Sequence, residues 1–229
     1  MLVSIGDYPP MGSIITVASG KGGCSKTTTV MLLAANLAQQ GFQVAVIDAD
    51  RNQSFSSWHE QAYEGPAFTC RGEVDHIKVV DLAGDLAETH DVVLVDTAGF
   101  ESLTAASAIG MADYVIIPCM PDRGSVRETM RTAHQVASLS KAARRRIPFF
   151  VLLTRWKARG LSERAALDSL DSEKLPLLTQ RLGDLADFTK LSFSGQVPLV
   201  GKIAEQAASL IEELVSIGAI QKSEVRKVA

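Results

Sequence analysis

The chain has 229 residues, a size that suits one domain around a single core. Its 46% hydrophobic and 21% charged residues exclude a disordered chain. The 23 basic and 26 acidic residues give a net charge of −3, which excludes binding of nucleic acid through bulk positive charge, so any such contact must be local. We predict a single domain over residues 1–229, with a loose lead-in at 1–12 and a C-terminal tail at 218–229.

The sequence gives no indication of a membrane or secreted protein. No apolar run approaches the roughly 20 residues of a membrane span, and the N-terminus lacks the pattern of a secretory signal. The tail has few bulky apolar residues for a membrane-binding helix. The three cysteines form no C-x-x-C pair, which favours reduced thiols, and Cys24 is either a reactive thiol or a small filler residue. We therefore predict a cytoplasmic protein that does not bind membranes.

Short β-branched apolar runs alternate with longer stretches of helical period. The predicted strands are 14–18, 43–47, 91–95, 114–117 and 148–153. The predicted helices are 27–40, 77–89, 102–110, 125–140, 162–170, 183–191 and 202–217. Strands that are apolar on both faces, such as 91–95, are typical of a sheet between two helix layers. The sequence thus predicts an α/β fold with a predominantly parallel, twisted sheet and helices on both faces.

A glycine-rich segment lies directly between the first predicted strand and the first predicted helix. It reads Gly20-Lys21-Gly22-Gly23-Cys24-Ser25-Lys26-Thr27-Thr28. Backbone N–H groups in such a turn converge on an anion at the positive end of a helix, which predicts a phosphate-binding loop. Lys26 would reach the β- and γ-phosphates, and the Thr27 hydroxyl would coordinate Mg²⁺. Ordinary phosphate loops have glycine where Ser25 stands, so a side chain lies where the backbone should approach phosphate closely.

The second lysine of this segment points to a family. Lys21, followed by two glycines and by Lys26-Thr27, resembles the deviant Walker A motif of the ParA/MinD family of ATPases. The resemblance implies a P-loop NTPase-like fold, ATP and Mg²⁺ as cofactors, and nucleotide contacts from all nine residues 20–28. It also implies an ATP-dependent homodimer in which Lys21 reaches the partner's ATP and is catalytic together with Lys26. By itself, Lys21 could be a solvated loop charge.

Three carboxylates follow predicted strands and match the same family. Asp48 and Asp50 resemble its D-x-D element, which implies that Asp50 positions the attacking water and that Asp48 lies near the metal. Asp96 resembles the Walker B aspartate that holds Mg²⁺, and Thr97-Ala98-Gly99 would sense the γ-phosphate. The alternative for the D-x-D element is a pair of acidic residues at a strand end. The family usually continues with Pro-Gln, where this chain has Arg51-Asn52.

Weaker similarities extend the resemblance over about residues 13–217. Thr154 and Arg155 fall where the family often contacts adenine. Segments 54–58 and 179–195 resemble the short, ParF-like branch of ParA plasmid partition proteins. We therefore assign Thr154 and Arg155 to the predicted nucleotide site.

Two basic clusters are candidates for local DNA contact. The first cluster is Lys141, Arg144, Arg145 and Arg146; the second is Arg155, Lys157 and Arg159, with Arg164 beyond it. Either cluster could bind DNA phosphates without sequence preference, and either could be a solvated surface.

The resemblance implies an ATPase that dimerises on ATP, binds nonspecific DNA and drives plasmid or chromosome partition. A ParB-like centromere-binding partner would stimulate slow hydrolysis, and the protein would be cytoplasmic and nucleoid-associated. We expect no helix-turn-helix domain before the first strand, so the partner would supply sequence-specific recognition. Two alternatives stay open: a MinD-like positioning ATPase for a membrane or protein cargo, and a weakly hydrolysing nucleotide-dependent scaffold, which Ser25 and Arg51 motivate.

Overall fold

The computed structural model describes residues 11–99, 102–157, 160–184, 186–198 and 200–222. Within these residues, seven strands form one sheet in the order β3-β2-β4-β1-β5-β6-β7, and every neighbouring pair is parallel. The strands are β1 (Ser13–Val17), β2 (Val44–Ala49), β3 (Thr69–Gly72), β4 (Val92–Thr97), β5 (Tyr114–Cys119), β6 (Phe149–Trp156) and β7 (Leu177–Gly183). The predicted parallel α/β sheet is confirmed.

Helices cover both faces of this sheet. They are α1 (Lys26–Gln39), α2 (Ser54–Gln61), α3 (Lys78–Ala87), α4 (Leu103–Met111), α5 (Arg123–Ala142), α6 (Leu161–Ser172), α7 (Ala186–Ser194) and α8 (Lys202–Ser216). Along β2, Val44 and Val46 belong to the core cluster that includes α1 and α8, whereas Ala45 and Ile47 belong to the cluster that includes α3. Because successive strand side chains alternate between faces, the central strands must be apolar throughout.

Two strands and one helix were not predicted from the sequence. These are β3, α2 and β7, and the predicted helix over residues 183–191 is wrong at its start, because Gly183 ends β7 and α7 begins at Ala186. The β7 strand lies at the edge of the sheet, where only part of it is buried and the apolar pattern is weak. The Glu213 carboxylate of α8 accepts hydrogen bonds from the N–H groups of Thr179 and Gln180 at 2.7 and 2.8 Å. A contact across 33 residues of sequence thus stabilises this strand.

The parallel topology decides where the candidate residues lie. The carboxyl ends of β1, β2, β4 and β6 meet at one edge of the sheet, as in other open α/β folds that bind ligands there. Asp48 of β2 and Asp96 of β4 are register partners, and Asp96 is also paired with Val17, just before the glycine-rich segment. Arg144 precedes β6 and therefore lies toward the opposite edge.

The first residues of the predicted tail pack against the core. Ala219 and Ile220 are fully buried. Residues 1–10 of the predicted lead-in and 223–229 of the tail lie outside the described residues. Among the helices that the structure describes, none combines the length and apolar character needed to cross a membrane.

Candidate nucleotide-binding site

The glycine-rich segment forms an open loop between β1 and α1. Gly23 and Ser25 both have left-handed backbone conformations, with φ of 72° and 75°. A Cβ atom added at Gly22 or Gly23 would meet no atom within 4 Å, so the space in front of this backbone is open. The loop therefore presents its backbone to a ligand of appreciable size.

Ser25 adopts the conformation that glycine would adopt in an ordinary phosphate loop. A left-handed conformation costs a residue with a side chain about 1–2 kcal/mol. Ser25 thus adds strain to the loop at a position where the backbone conformation favours glycine.

The N-terminus of α1 is arranged to receive an anion. Ser25 makes no side-chain capping bond, and the first turn contains no acidic residue, so nothing on the helix neutralises its positive end. Lys26 is 9% exposed, and its ammonium donates to the Lys21 carbonyl at 3.3 Å. Cys24 is 1% exposed. Such burial favours the filler role for Cys24 over the reactive thiol.

Lys21 bonds to groups outside the loop. Its ammonium lies 2.7 Å from Asp122 Oδ1 and 3.1 Å from the Ser125 hydroxyl, at the start of α5. Partial burial raises the pKa of Asp122, but the bonds from Lys21 and Ser125 outweigh it and lower the pKa to about 2. Asp122 also caps α5 by accepting the Ser125 N–H. The glycine-rich loop and α5 are therefore joined by an ion pair.

Asp96 is a buried carboxylate without a hydrogen-bond partner among the described residues. It is 1% exposed, and both of its oxygens lack a bond. Burial raises the pKa of Asp96 to about 7, and Asp48 adds to the increase, while the Thr27 hydroxyl and the Lys26 ammonium oppose it. Burying a charged carboxylate of this kind costs free energy unless a cation or a hydrogen-bond donor pairs with it.

The D-x-D element forms a tightly bonded loop. Asp48 accepts the Ser56 N–H at 2.8 Å and the Asp50 N–H at 3.2 Å. Burial nevertheless raises the pKa of Asp48 above its ordinary value. The Gln53 amide donates to the carbonyls of Asp48 and Asp50 at 3.0 and 2.7 Å, and Asp50 accepts the Asn52 N–H at 2.9 Å. Asp48 thus orients the loop, and Gln53, which the sequence did not indicate, holds the backbone of Asp50.

These residues fit a magnesium ion bound together with a phosphate. Mg²⁺ takes one or two carboxylates and keeps waters and phosphate oxygens as further ligands. Asp96 supplies an unpartnered carboxylate beside the Thr27 hydroxyl. The described residues contain no group of three or more His, Cys, Asp or Glu side chains that could hold a metal by themselves. The donor set therefore suits a metal that arrives with a nucleotide.

Replacing Asp96 with asparagine is expected to stabilise the protein without nucleotide at pH 8. A carboxyl whose pKa is raised by folding stabilises the folded state at low pH. For Asp96 this stabilisation is lost as the pH rises toward about 7, by about 1.4 kcal/mol for each pH unit. Urea unfolding at pH 5 and pH 8 measures the effect. The increase in the free energy of unfolding of the variant relative to the parent should be larger at pH 8 than at pH 5. Mg-ATP should stabilise the parent alone. An equal gain at both pH values would contradict the buried, ionising carboxylate.

A cavity of about 270 Å³ lies beside the start of α1. Its lining combines residues of four segments: Ser25, Thr28, Thr154, Arg155, Leu182, Gly183, Asp184, Phe188 and Ser192. The Thr154 hydroxyl is buried and has no partner among the described residues. Thr154 and Arg155 therefore line one pocket together with Ser25 and Thr28 of the glycine-rich segment. The contributions of β7 and α7 were missed because β7 was not predicted and residues 183–191 were predicted as one helix.

A larger groove of about 920 Å³ lies on the other side of the loop. Gly20, Asp50 and Gly99 line it, together with the start of α4. Arg51, exposed, is at the same groove. The D-x-D loop and the segment after β4 thus face one open space.

The two basic clusters lie toward opposite edges of the sheet. Arg155 lies near the end of β6 and Lys157 directly follows the strand, where it forms an ion pair with Asp184 at 2.9 Å. Lys141, Arg144 and Arg146 are exposed before β6. Arg159 lies outside the described residues.

Arg145 differs from its neighbours and needs a correction. Its guanidinium donates to the carbonyls of Gly110 and Ala112 at 2.7 and 2.9 Å, near the end of α4. The residue is half-buried. Arg145 therefore stabilises the fold by satisfying helix-terminal carbonyls through Nη2, which leaves less of its guanidinium for the predicted DNA contact.

Replacing Arg145 with alanine should lower the free energy of unfolding by about 2 kcal/mol, because two carbonyls lose a charged donor. Arg146→Ala is the control, since Arg146 is exposed and its replacement should change stability by less than about 0.5 kcal/mol. Urea unfolding of both variants measures the difference. Equal stability of the two variants would show that the Arg145 bonds contribute nothing to stability.

The fold and the site define a P-loop protein of the ParA/MinD type. A Cyanothece McdA(D38A)-ATP complex superimposes with a TM-score of 0.75 at 17% identity, covering 91% of this chain and 97% of that chain. At this identity the similarity shows the fold. Protein ParA of Rhizobium radiobacter is 30% identical over 141 residues, which are 62% of this chain and 64% of the relative.

The particular family follows from the sequence comparison. The VirC1 protein family matches residues 12–220. Protein virC1 of Rhizobium radiobacter is 30% identical over 191 residues, covering 81% of this chain and 83% of the relative. The chain belongs to the VirC1 family, within the ParA/MinD family of ATPases.

Proposed function

We propose that this protein is an ATPase that closes into a homodimer on ATP, binds nonspecific DNA and moves or positions it with a ParB-like partner. The observation that supports this best is the buried, unpartnered Asp96 beside an open backbone loop and the uncapped N-terminus of α1. Such a combination suits a magnesium nucleotide and little else. The protein would be cytoplasmic and associated with the nucleoid.

Different residues would contact the phosphates, the metal and the base of the nucleotide. Residues 20–28, the deviant Walker A loop of this proposal, surround the phosphates, with Lys26 as the compact cation and Thr27 and Asp96 at the metal. Thr154 and Arg155 line the base pocket. Asp48, whose oxygens already accept two backbone N–H groups, serves as a positioning residue near the metal. When bound, Mg²⁺ neutralises phosphate charge that develops during transfer.

Asp50 would orient the attacking water. The bond from the Asn52 N–H and the bonds from Gln53 hold the Asp50 loop at the large groove, opposite Gly99. Orientation of this kind lowers the barrier by positioning and requires no change in the protein's covalent structure. The product of hydrolysis, ADP and phosphate, would no longer support the dimer.

Lys21 would connect nucleotide binding to dimerisation. Its present partners are Asp122 and Ser125, and Asp122 is 44% exposed, so a phosphate of the partner's nucleotide can compete for the ammonium. Moving the Lys21 ammonium from Asp122 to a phosphate replaces one anionic partner by another, so the net free-energy cost is small. The ion pair with Asp122 is then the resting position of the lysine.

DNA binding should require ATP, because one subunit offers few basic side chains and dimer closure doubles the phosphates contacted. Fluorescence anisotropy with two unrelated 40-base-pair duplexes tests this, with ATP, with ADP and without nucleotide. Binding that is equal for both duplexes and appears only with ATP is expected. DNA binding that is equally tight without nucleotide, or absent with ATP, would contradict the proposal and favour a protein or membrane cargo.

A further inference from the structure

The exposed side of α5 has a row of basic residues along its length. Its members recur at three-, four- or seven-residue intervals, and all five are exposed: Arg123, Arg127, Arg131, His134 and Lys141. At 3.6 residues per turn they fall within about 80° of the helix circumference and extend over about 27 Å. We call these five residues the basic stripe.

The stripe stands out in a protein whose net charge is −3. Glu128 is the only acidic residue of α5, and its side chain is 13% exposed. It lies 3.7 Å from Arg127 and 3.2 Å from Arg131, whose side chains remain 76% and 57% exposed. This nearly buried carboxylate pairs with two of the five stripe residues, and the surface keeps a positive excess.

We propose that the basic stripe of α5 is the surface that contacts the DNA phosphate backbone. This inference rests on the proposed function and identifies the site of its DNA contact. The stripe is long enough to reach both backbones that border a groove about 12 Å wide. Arg144 and Arg146, exposed just beyond the end of α5, extend it.

The composition of the stripe fits phosphates rather than bases or lipids. It contains neither asparagine nor glutamine, the side chains that read adenine edges, so its contacts carry little sequence information. Ala137 and Ser138, exposed beside the cations, are small, and no aromatic residue occurs in α5 to enter a membrane. A nonspecific polyanion is the partner that this surface suits.

The N-terminus of α5 links this surface to the nucleotide loop. Asp122 caps the helix and holds the Lys21 ammonium at 2.7 Å, one residue before Arg123. Release of Lys21 would therefore change the contacts of the residue that begins α5. DNA bound along the helix would respond to the state of the nucleotide site.

The test replaces Arg123, Arg127 and Lys141 together by glutamine. The matched control replaces Arg71, Lys78 and Lys202, which are exposed on other elements, and changes the net charge equally. With ATP and a 40-base-pair duplex, the stripe variant should bind at least tenfold more weakly than the control. Its slope of log affinity against log salt should fall by about 1 for each contact removed.

Sedimentation with ATP separates this inference from its alternatives. A stripe variant that dimerises normally but binds DNA weakly supports the inference. Equal DNA binding by both variants would overturn the stripe while leaving the proposed function intact, and failure of the parent to bind DNA would refute the proposed function itself. A stripe variant that no longer dimerises, or a parent that binds phosphatidylglycerol vesicles through the stripe more tightly than DNA, would also overturn the inference.

Discussion

Replacing Lys26 with alanine is expected to abolish nucleotide binding. Lys26 is only 9% exposed, and it is the first residue of α1, whose N-terminus has no side-chain cap. Charge-assisted bonds in such places contribute about 1.5–3 kcal/mol each, so the loss of two would weaken binding by about a hundredfold or more. Titration calorimetry with Mg-ATP and Mg-ADP measures the effect.

Two variants make this experiment specific. Lys78→Ala removes an exposed lysine of α3 and should bind ATP as the parent does. Lys21→Ala should still bind ATP, because its ammonium contacts Asp122 and Ser125 instead of the open loop, but it should not dimerise. If Lys26→Ala binds ATP as tightly as the parent, the loop is not a phosphate site.

Replacing Asp50 with alanine should retain ATP and Mg²⁺ and reduce turnover by about a hundredfold or more, since orientation of the water affects the barrier more than the ground state. The ATP-bound dimer should therefore persist. Phosphate release and sedimentation velocity with ATP measure the two effects. The control is Asp85→Ala, which removes an exposed carboxylate of α3. Unchanged phosphate release, or a monomer in the presence of ATP, would exclude Asp50 from this role.

The strands that the sequence predicted well are the central ones. A strand buried on both faces needs uninterrupted apolar residues, and β4 displays that pattern clearly. The edge strands β3 and β7 are half-exposed, and their residues follow no such rule. Contacts with distant elements, such as Glu213 with β7, determine them instead.

The candidate site was predictable where its residues are contiguous. The glycine-rich loop and the D-x-D element each lie within one short segment, where local spacing expresses the chemistry directly. The pocket beside α1 combines four segments, and the residues predicted for the nucleotide site come from two of them, the glycine-rich loop and β6. Gln53 gave no signal, because its role depends on carbonyls that face it only after the loop has folded.

The sequence by itself determined that this protein has a parallel α/β sheet, with a glycine-rich loop between a strand and a helix and three carboxylates at strand ends, because periodicity and local spacing are properties of short segments. Only the tertiary structure decided which charged side chains are paired within the protein and which remain free to bind a ligand. In the folded chain, Asp96 is buried without a hydrogen-bond partner among the described residues and Lys21 pairs with Asp122. Arg145 donates to carbonyls at the end of α4. Neighbouring arginines in the sequence thus differ in role, because the partner of a long side chain depends on which carbonyls and carboxylates folding brings within reach.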